Sequence, residues 1–227
     1  MCGIFGSNNF ERYKTLYQLN KDRGSFAYGS LYTYSEPGPL VQRAAVSDIP
    51  ASNVDVTECT FYFGHTQGPT SSQREFDPDT SHPFNYLNWR VAHNGVLSNS
   101  TVLAEKYNVD NPVDSAVIPV IIWNKFQELY DPDVWVWERE QRAIKLACEE
   151  LEGTFSCWIH NSNTNNMYLI RCGSTLFAGD REFSSAQAEG MEPLDDRCVY
   201  RLHHEDNRIG WLENVEEFNT NSPFFIL

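Results

Sequence analysis

The chain has 227 residues, with 31 acidic side chains against 17 Lys and Arg, a formal charge of −14. A surface that acidic repels phosphate backbones and anionic headgroups, so neither nucleic acid nor membrane is an expected partner. Apolar residues make up 41% of the chain and aromatics 14%, enough for a buried core, which excludes a disordered chain and fits one domain over residues 2–227.

In chain order, residues 2–6 read as a short buried strand. Residues 11–22 read as a helix with Tyr13, Leu16, Tyr17 and Asn20 near one face. Residues 26–34, 40–46 and 59–66 read as strands, rich in aromatic and β-branched side chains. The polar stretch 69–88 reads as a long loop, a length that often carries function. A strand follows over 91–97, interrupted by Asn94-Gly95 as a turn or bulge. Residues 101–107 and 115–130 read as helices, with Pro119 a break or start in the second. A long helix runs from Pro132 to Leu151, with Gly153 as its stop. Short strands complete the pattern at 155–160, 167–172, 176–178, 181–185 and 199–203, with 161–166 a hairpin turn. Antiparallel runs of strands with helices grouped between them predict two sheets with helices outside.

The N-terminus lacks the basic-then-apolar pattern of a secretion signal. The longest strongly apolar run, residues 116–123, is too short to span a bilayer, and a cytoplasmic location is expected. The six cysteines, Cys2, Cys59, Cys148, Cys157, Cys172 and Cys198, show no C-x-x-C spacing. Reduced thiols are expected rather than disulfides, and no zinc site. There is no P-loop or dinucleotide glycine pattern, so no cofactor is expected.

Four segments carry possible chemistry. Cys2 follows Met1 and precedes Gly3. Once Met1 is removed, Cys2 would hold both a thiol, of pKa about 8.5, and an α-amine, of pKa about 8. One residue then supplies nucleophile and base. Arg23-Gly24 ends the first helix. Gly64-His65-Thr66-Gln67 runs through Gly68 and Pro69 to Thr70 and enters the long loop. His93-Asn94-Gly95 places an amide side chain beside a glycine N–H, two donors able to point at one oxygen. Singly, each has a plain reading: a small residue after the start, a helix cap, a strand end, an Asn-Gly turn.

Together and in this order they resemble the glutaminase domain of class II glutamine amidotransferases, members of the N-terminal nucleophile hydrolases. The likeness is to the glucosamine-6-phosphate synthase and amidophosphoribosyltransferase type. Ser81-His82-Pro83-Phe84, the spacing from His93 to Asn99, and Asp114 within Val113-Asp114-Ser115 also resemble segments of that family. The specific matches cover residues 1–118. Looser likeness, including Leu151-Glu152-Gly153 and residues 176–188, reaches about Gly190.

The resemblance implies an α+β fold, a four-layer α-β-β-α sandwich of two antiparallel sheets. It implies hydrolysis of L-glutamine to glutamate and ammonia through a Cys2 thioester. Catalytic roles fall to Cys2, Asn94 and Gly95, the last two as oxyanion donors. Asp114 and the Gly95 carbonyl would hold the substrate α-amino group. Arg23 would support the nucleophile's loop, and Gln67, Thr70 and His93 would line the substrate site. Two positions depart from the family pattern. Gln67 stands where the family has an Arg for the α-carboxylate, and Phe26 where an Asp is usual. Arg74, seven residues after Gln67, reads as a solvated loop residue.

The chain ends where the family's glutaminase domain ends, so an acceptor synthetase or transferase acting in trans is expected to receive the ammonia. Two other readings stand beside this one. One is hydrolysis of a different γ-glutamyl amide, which Gln67 would fit. The other is a non-enzymatic binding or regulatory protein. The pairs His203-His204 and Glu205-Asp206 read as an exposed acidic turn rather than a metal site, because adjacent strand residues face opposite sides. Trp123, Trp135 and Trp137 read as core or partner interface.

Overall fold

The computed structural model describes residues 2–34, 40–44, 59–68, 77–205 and 208–220. Its strands form two antiparallel sheets. The first contains β1 (Gly3–Ser7), β2 (Ala27–Tyr34), β3 (Leu40–Ala44), β4 (Cys59–Gln67), β9 (Phe177–Gly179), β10 (Glu182–Ser184) and β11 (Glu192–Pro193), in the order β11-β9-β10-β1-β4-β2-β3. The second contains β5 (Phe84–Tyr86), β6 (Trp89–Leu97), β7 (Gly153–Asn161), β8 (Asn166–Cys172), β12 (Cys198–Glu205) and β13 (Arg208–Glu217), in the order β13-β12-β8-β7-β6-β5.

The helices lie outside. Helix α1 (Phe10–Lys21) covers the first sheet, and α2 (Ser100–Tyr107), α3 (Val117–Glu128) and α4 (Val136–Glu150) cover the second. Three apolar clusters fill the three layer boundaries. Phe5, Tyr13, Leu16, Tyr28 and Tyr32 pack α1 onto its sheet. Ile4, Phe63, Ala92, Trp158 and Leu169 pack sheet against sheet. Val91, Ile121, Ile144, Phe155 and Ile170 pack the second sheet against its helices. The expected α-β-β-α sandwich is the observed fold.

Helix α1 starts at Asn9, whose side chain accepts the Arg12 N–H at 3.0 Å, one of the donors a helix start leaves open. It buries Tyr13, Leu16, Tyr17 and Asn20, the face predicted from spacing. Asn20 fastens the helix to the sheet. Its side-chain amide donates to Ser184 Oγ at 2.8 Å, and its backbone carbonyl accepts from Thr66 Oγ1 at 2.9 Å.

Several local expectations change. Asn94-Gly95 does not interrupt its strand: pairing with β7 runs unbroken from Trp89↔Asn161 to Leu97↔Gly153. Gly95 achieves this at φ 155°, where a Cβ would lie 1.9 Å from the Thr154 carbonyl oxygen. The helix expected from Pro132 starts at Val136, because Asp131 Oδ1 accepts the Asp133 N–H at 2.9 Å and closes a turn first. Gly153 is not a helix stop but the first residue of β7, at φ 130°. A 3-10 turn over Asp114–Ala116 precedes α3, and Pro119 falls in the first turn of α3, where no backbone donor is needed. Strands β5, β11 and β13 were not expected. His203 lies in a strand, as expected, and pairs with Glu213; β12 runs on through Glu205 where an acidic turn was expected, and Asp206 lies outside the described residues. Of the tryptophans, Trp123 packs on the helix-side core, Trp137 lies under Arg201, and Trp135 is 70% exposed.

Candidate active site

Strand alternation sorts the predicted site residues onto two faces. On β6, Ala92 belongs to the inter-sheet core and Val91 to the helix-side core. Side chains two apart share a face, so Asn94 points between the sheets with Ala92, whereas His93 faces the helices. On β4, His65 and Gln67 keep the parity of Phe63 and face the second sheet. Cys2 precedes β1 in the parity of Ile4, again toward the inter-sheet space.

Cys2 is buried, and its thiol donates to the Gly68 carbonyl at 3.6 Å. Arg23, just beyond α1, donates from Nε to the Cys2 carbonyl at 3.0 Å and from Nη2 to Thr175 Oγ1 at 3.2 Å. Burial lowers the Arg23 pKa, and the proximity of Cys2 opposes that shift. Gly24 explains how this helix end reaches the site: a Cβ there would lie 2.2 Å from the Gly68 nitrogen. None of the six cysteines is in a disulfide. Burial pushes the Cys148 and Cys157 thiols well above the usual range, which leaves them poor nucleophiles.

Asn94 is 2% exposed, and its amide nitrogen meets three serine hydroxyls: Ser174 at 3.1 Å, Ser185 at 3.2 Å and Ser156 at 3.4 Å. Ser185 Oγ also accepts the Ile4 N–H at 3.1 Å, and the Ser185 N–H donates to the Ile4 carbonyl at 2.8 Å. One hydroxyl therefore joins the strand that begins beside Cys2 to the Asn94 side chain. Sequence reasoning missed these serines. Ser156 lies opposite Asn94 in the β6–β7 register, but Ser174 and Ser185 reach it only through the sandwich.

His93 and Asp114 form a separate group on the helix side. His93 Nδ1 lies 2.9 Å from Ser115 Oγ, and burial lowers the His93 pKa while Asp114 opposes the shift. Asp114 accepts the Leu97 N–H at 3.0 Å and the Ser115 hydroxyl at 3.1 Å. These bonds tie it to the strand end just after Gly95. Gln67 is 1% exposed and donates to the Thr80 carbonyl at 3.5 Å. Beside it, His65 stacks on His82 with ring centroids 3.9 Å apart, and its Nε2 lies 3.2 Å from the His93 carbonyl oxygen. Phe26 is 51% exposed, its N–H on the Gln67 carbonyl. Thr70 and Arg74 lie outside the described residues.

A cavity of about 340 Å³ lies elsewhere, lined by Phe84, Tyr86, Tyr107, Asn111, Ala116 and Val120, and none of the predicted site residues borders it. Among the described residues no group of His, Cys, Asp or Glu is placed to hold a metal, and no helix is long and apolar enough to cross a membrane.

Glutamine phosphoribosylpyrophosphate amidotransferase from B. subtilis, solved with ADP and GMP, superposes on 94% of the chain at a TM-score of 0.65 and 16% identity. The chain has the class II glutamine amidotransferase fold. At that identity the likeness is one of fold. In sequence, the chain is similar to a glutamine–fructose-6-phosphate aminotransferase (isomerizing) of Listeria monocytogenes, 26% identical over 86% of the chain. A 7-cyano-7-deazaguanine synthase 2 of Sulfurisphaera tokodaii is 23% identical over 89% of the chain. The chain spans 33% and 48% of the length of these two relatives, and 49% of the B. subtilis chain. No family model matches the chain.

Proposed function

We propose that the chain hydrolyses L-glutamine to glutamate and ammonia, with Cys2 as nucleophile, and passes the ammonia to an acceptor enzyme in trans. The observation that carries this reading is the shared hydroxyl of Ser185. It accepts from Ile4 N and from Asn94 Nδ2, so nucleophile strand and oxyanion donor are stitched together across the sheets.

With Met1 removed, the Cys2 α-amine takes the thiol proton as sulfur attacks the side-chain amide carbon. The carbonyl oxygen becomes an oxyanion held by Asn94 Nδ2 and the Gly95 N–H. Collapse breaks the C–N bond, and the ammonium form of the α-amine returns its proton to the leaving ammonia. Water then attacks the thioester, the amine again taking a proton, and glutamate leaves as the thiol is restored. Arg23 holds the Cys2 carbonyl and so fixes where the sulfur and amine sit. Asp114, bonded at the strand end after Gly95, takes the substrate α-amino group, and Thr70 lines the α-carboxylate side.

Purified protein with a confirmed Cys2 N-terminus should release ammonia from glutamine, and Cys2→Ala should release none. Asn94→Ala should lower kcat by about 10²- to 10³-fold with a much smaller change in KM, because an oxyanion donor acts on the transition state. Near-native ammonia release by Cys2→Ala would falsify the assignment. A pure KM effect in Asn94→Ala would make Asn94 a ground-state contact instead.

A second reading, a γ-glutamyl amide other than glutamine, stands beside this one; the two substrates share the α-carboxylate, whose recognition rests on groups other than Gln67. Gln67 is neutral, buried and bonded to the Thr80 carbonyl, so it brings no charge to an α-carboxylate. Comparing kcat/KM for glutamine with that for γ-glutamyl amides of larger amines decides between the two.

A further inference from the structure

We propose that Ser174 and Ser185 are positioning residues that fix the plane of the Asn94 amide, a role that rests on the glutaminase reading above. The three serines around this amide come from separate places: Ser156 from β7, Ser174 from the turn between β8 and β9, and Ser185 from just beyond β10. Each hydroxyl is itself held. Ser185 is locked to Ile4 through both its backbone N–H and its Oγ. Ser174 donates from Oγ to the Asn94 carbonyl at 3.0 Å while accepting from the Asn94 side chain at 3.1 Å, so it brackets main chain and side chain together. The Ser174 carbonyl accepts from Arg171 Nε at 2.9 Å, and the Gly173 N–H donates to Asp196 Oδ1 at 2.7 Å, which pins the turn.

This bracket matters because the last torsion of an asparagine is broad and selects no orientation by itself. The amide nitrogen carries two N–H groups, and three neutral hydroxyl oxygens surround it. An oxyanion forming beside it is a stronger acceptor than a serine hydroxyl. As charge develops, one N–H passes from a serine to the oxyanion while another serine keeps the amide in plane. The gain appears only in the transition state, the condition for raising kcat rather than lowering KM. The same turn serves the other half of the site, since Thr175 Oγ1 accepts from the Arg23 side chain that holds the Cys2 carbonyl.

Ser174 is partly exposed and is the better position to alter, because Ser185 also serves the Ile4 N–H. Ser174→Ala should lower kcat for glutamine by about 10-fold or more, with KM within about 2-fold. Ser174→Thr, which keeps the hydroxyl, should recover most of the rate. In an Asn94→Ala background, adding Ser174→Ala should cost no more than about 2-fold, because a residue acting through Asn94 has nothing left to act on. Full additivity in that cycle, or an unchanged kcat in Ser174→Ala, would overturn the proposal. A second measurement stands apart from turnover. The Asn94 side-chain NH₂ resonances, identified by their loss in Asn94→Ala, should exchange with solvent slowly in wild type and faster in Ser174→Ala. Equal exchange rates overturn the positioning role whether or not glutamine is the substrate, whereas absence of glutamine hydrolysis by the processed wild type overturns the glutaminase reading alone.

Discussion

His93 and Asn94 are neighbours with opposite tasks. Asn94 faces the inter-sheet space, while His93 turns to the helices and its Nδ1 meets Ser115 Oγ. Burial holds the His93 pKa below its ordinary value, so the folded protein resists a proton that the unfolded chain accepts near pH 6.5, the reference value for imidazole. Between the two values the unfolded state binds more protons, and stability rises with pH. The His93 contribution is complete above the unfolded pKa and is lost as pH falls toward the folded one. His93→Gln should therefore lose less Tm than wild type between pH 7.5 and 5.5, a difference that thermal melts at matched ionic strength will read. Equal pH slopes would assign the acid sensitivity to other groups. Cys2, Arg23, Asn94 and Asp114 came forward as candidates through the order of their motifs, since each alone has a plain reading. The serines did not, since a serine is common anywhere and only the fold brings Ser174 and Ser185 to one amide.

Among elements, α4 shows both what a sequence pattern can deliver and what it hides. Ile144, Ala147 and Cys148 gave the helix its buried stripe, and Glu140 sits on the same stripe four residues before Ile144. Glu140 is fully buried and its carboxylate accepts from Asn161, Thr164, Asn166 and Tyr168 at 2.6 to 2.8 Å. It thereby clamps the β7–β8 hairpin to the helix layer. The signal for it was present: a charge on an apolar face, and a hairpin turn rich in amide and hydroxyl donors. Glu140→Ala would leave these donors buried without an acceptor, at a cost of about 3 to 5 kcal/mol. For a chain of this size that is a fall in Tm on the order of 10 °C. Glu140→Gln, which retains one carbonyl acceptor, should fall less. Denaturant unfolding that showed under about 1 kcal/mol for Glu140→Ala would remove the clamp from the account. The missed strands have physical reasons. β5 is three residues long inside a polar stretch, and β11 is two. The wrong start of α4 followed Pro132, whose fixed φ suits a turn as well as a first helical turn.

For the molecule as a whole, the sandwich was readable from strands and helices coming in blocks, and the three separate cores explain why alternation along β1, β4 and β6 sorted the site so cleanly. Its charge has a consequence of its own. With 31 acidic and 17 basic side chains, self-repulsion outweighs ion pairs such as Lys106–Glu150 and Lys125–Glu150, both under 3 Å. Raising salt from about 10 mM to about 0.3 M shortens the Debye length from roughly 30 Å to below about 8 Å. Tm should therefore rise over that range, and a fall would show that local pairs dominate. The central place of β1 bears on time rather than energy. The bond from Ile4 to Ser185 spans 181 positions. At about 5 to 20 residues per second, a ribosome needs roughly 10 to 40 s to travel between them. Throughout that interval the nascent chain carries the Cys2 thiol without the partner that ties its strand to Asn94, so the proposed chemistry waits on the synthesis of Ser185.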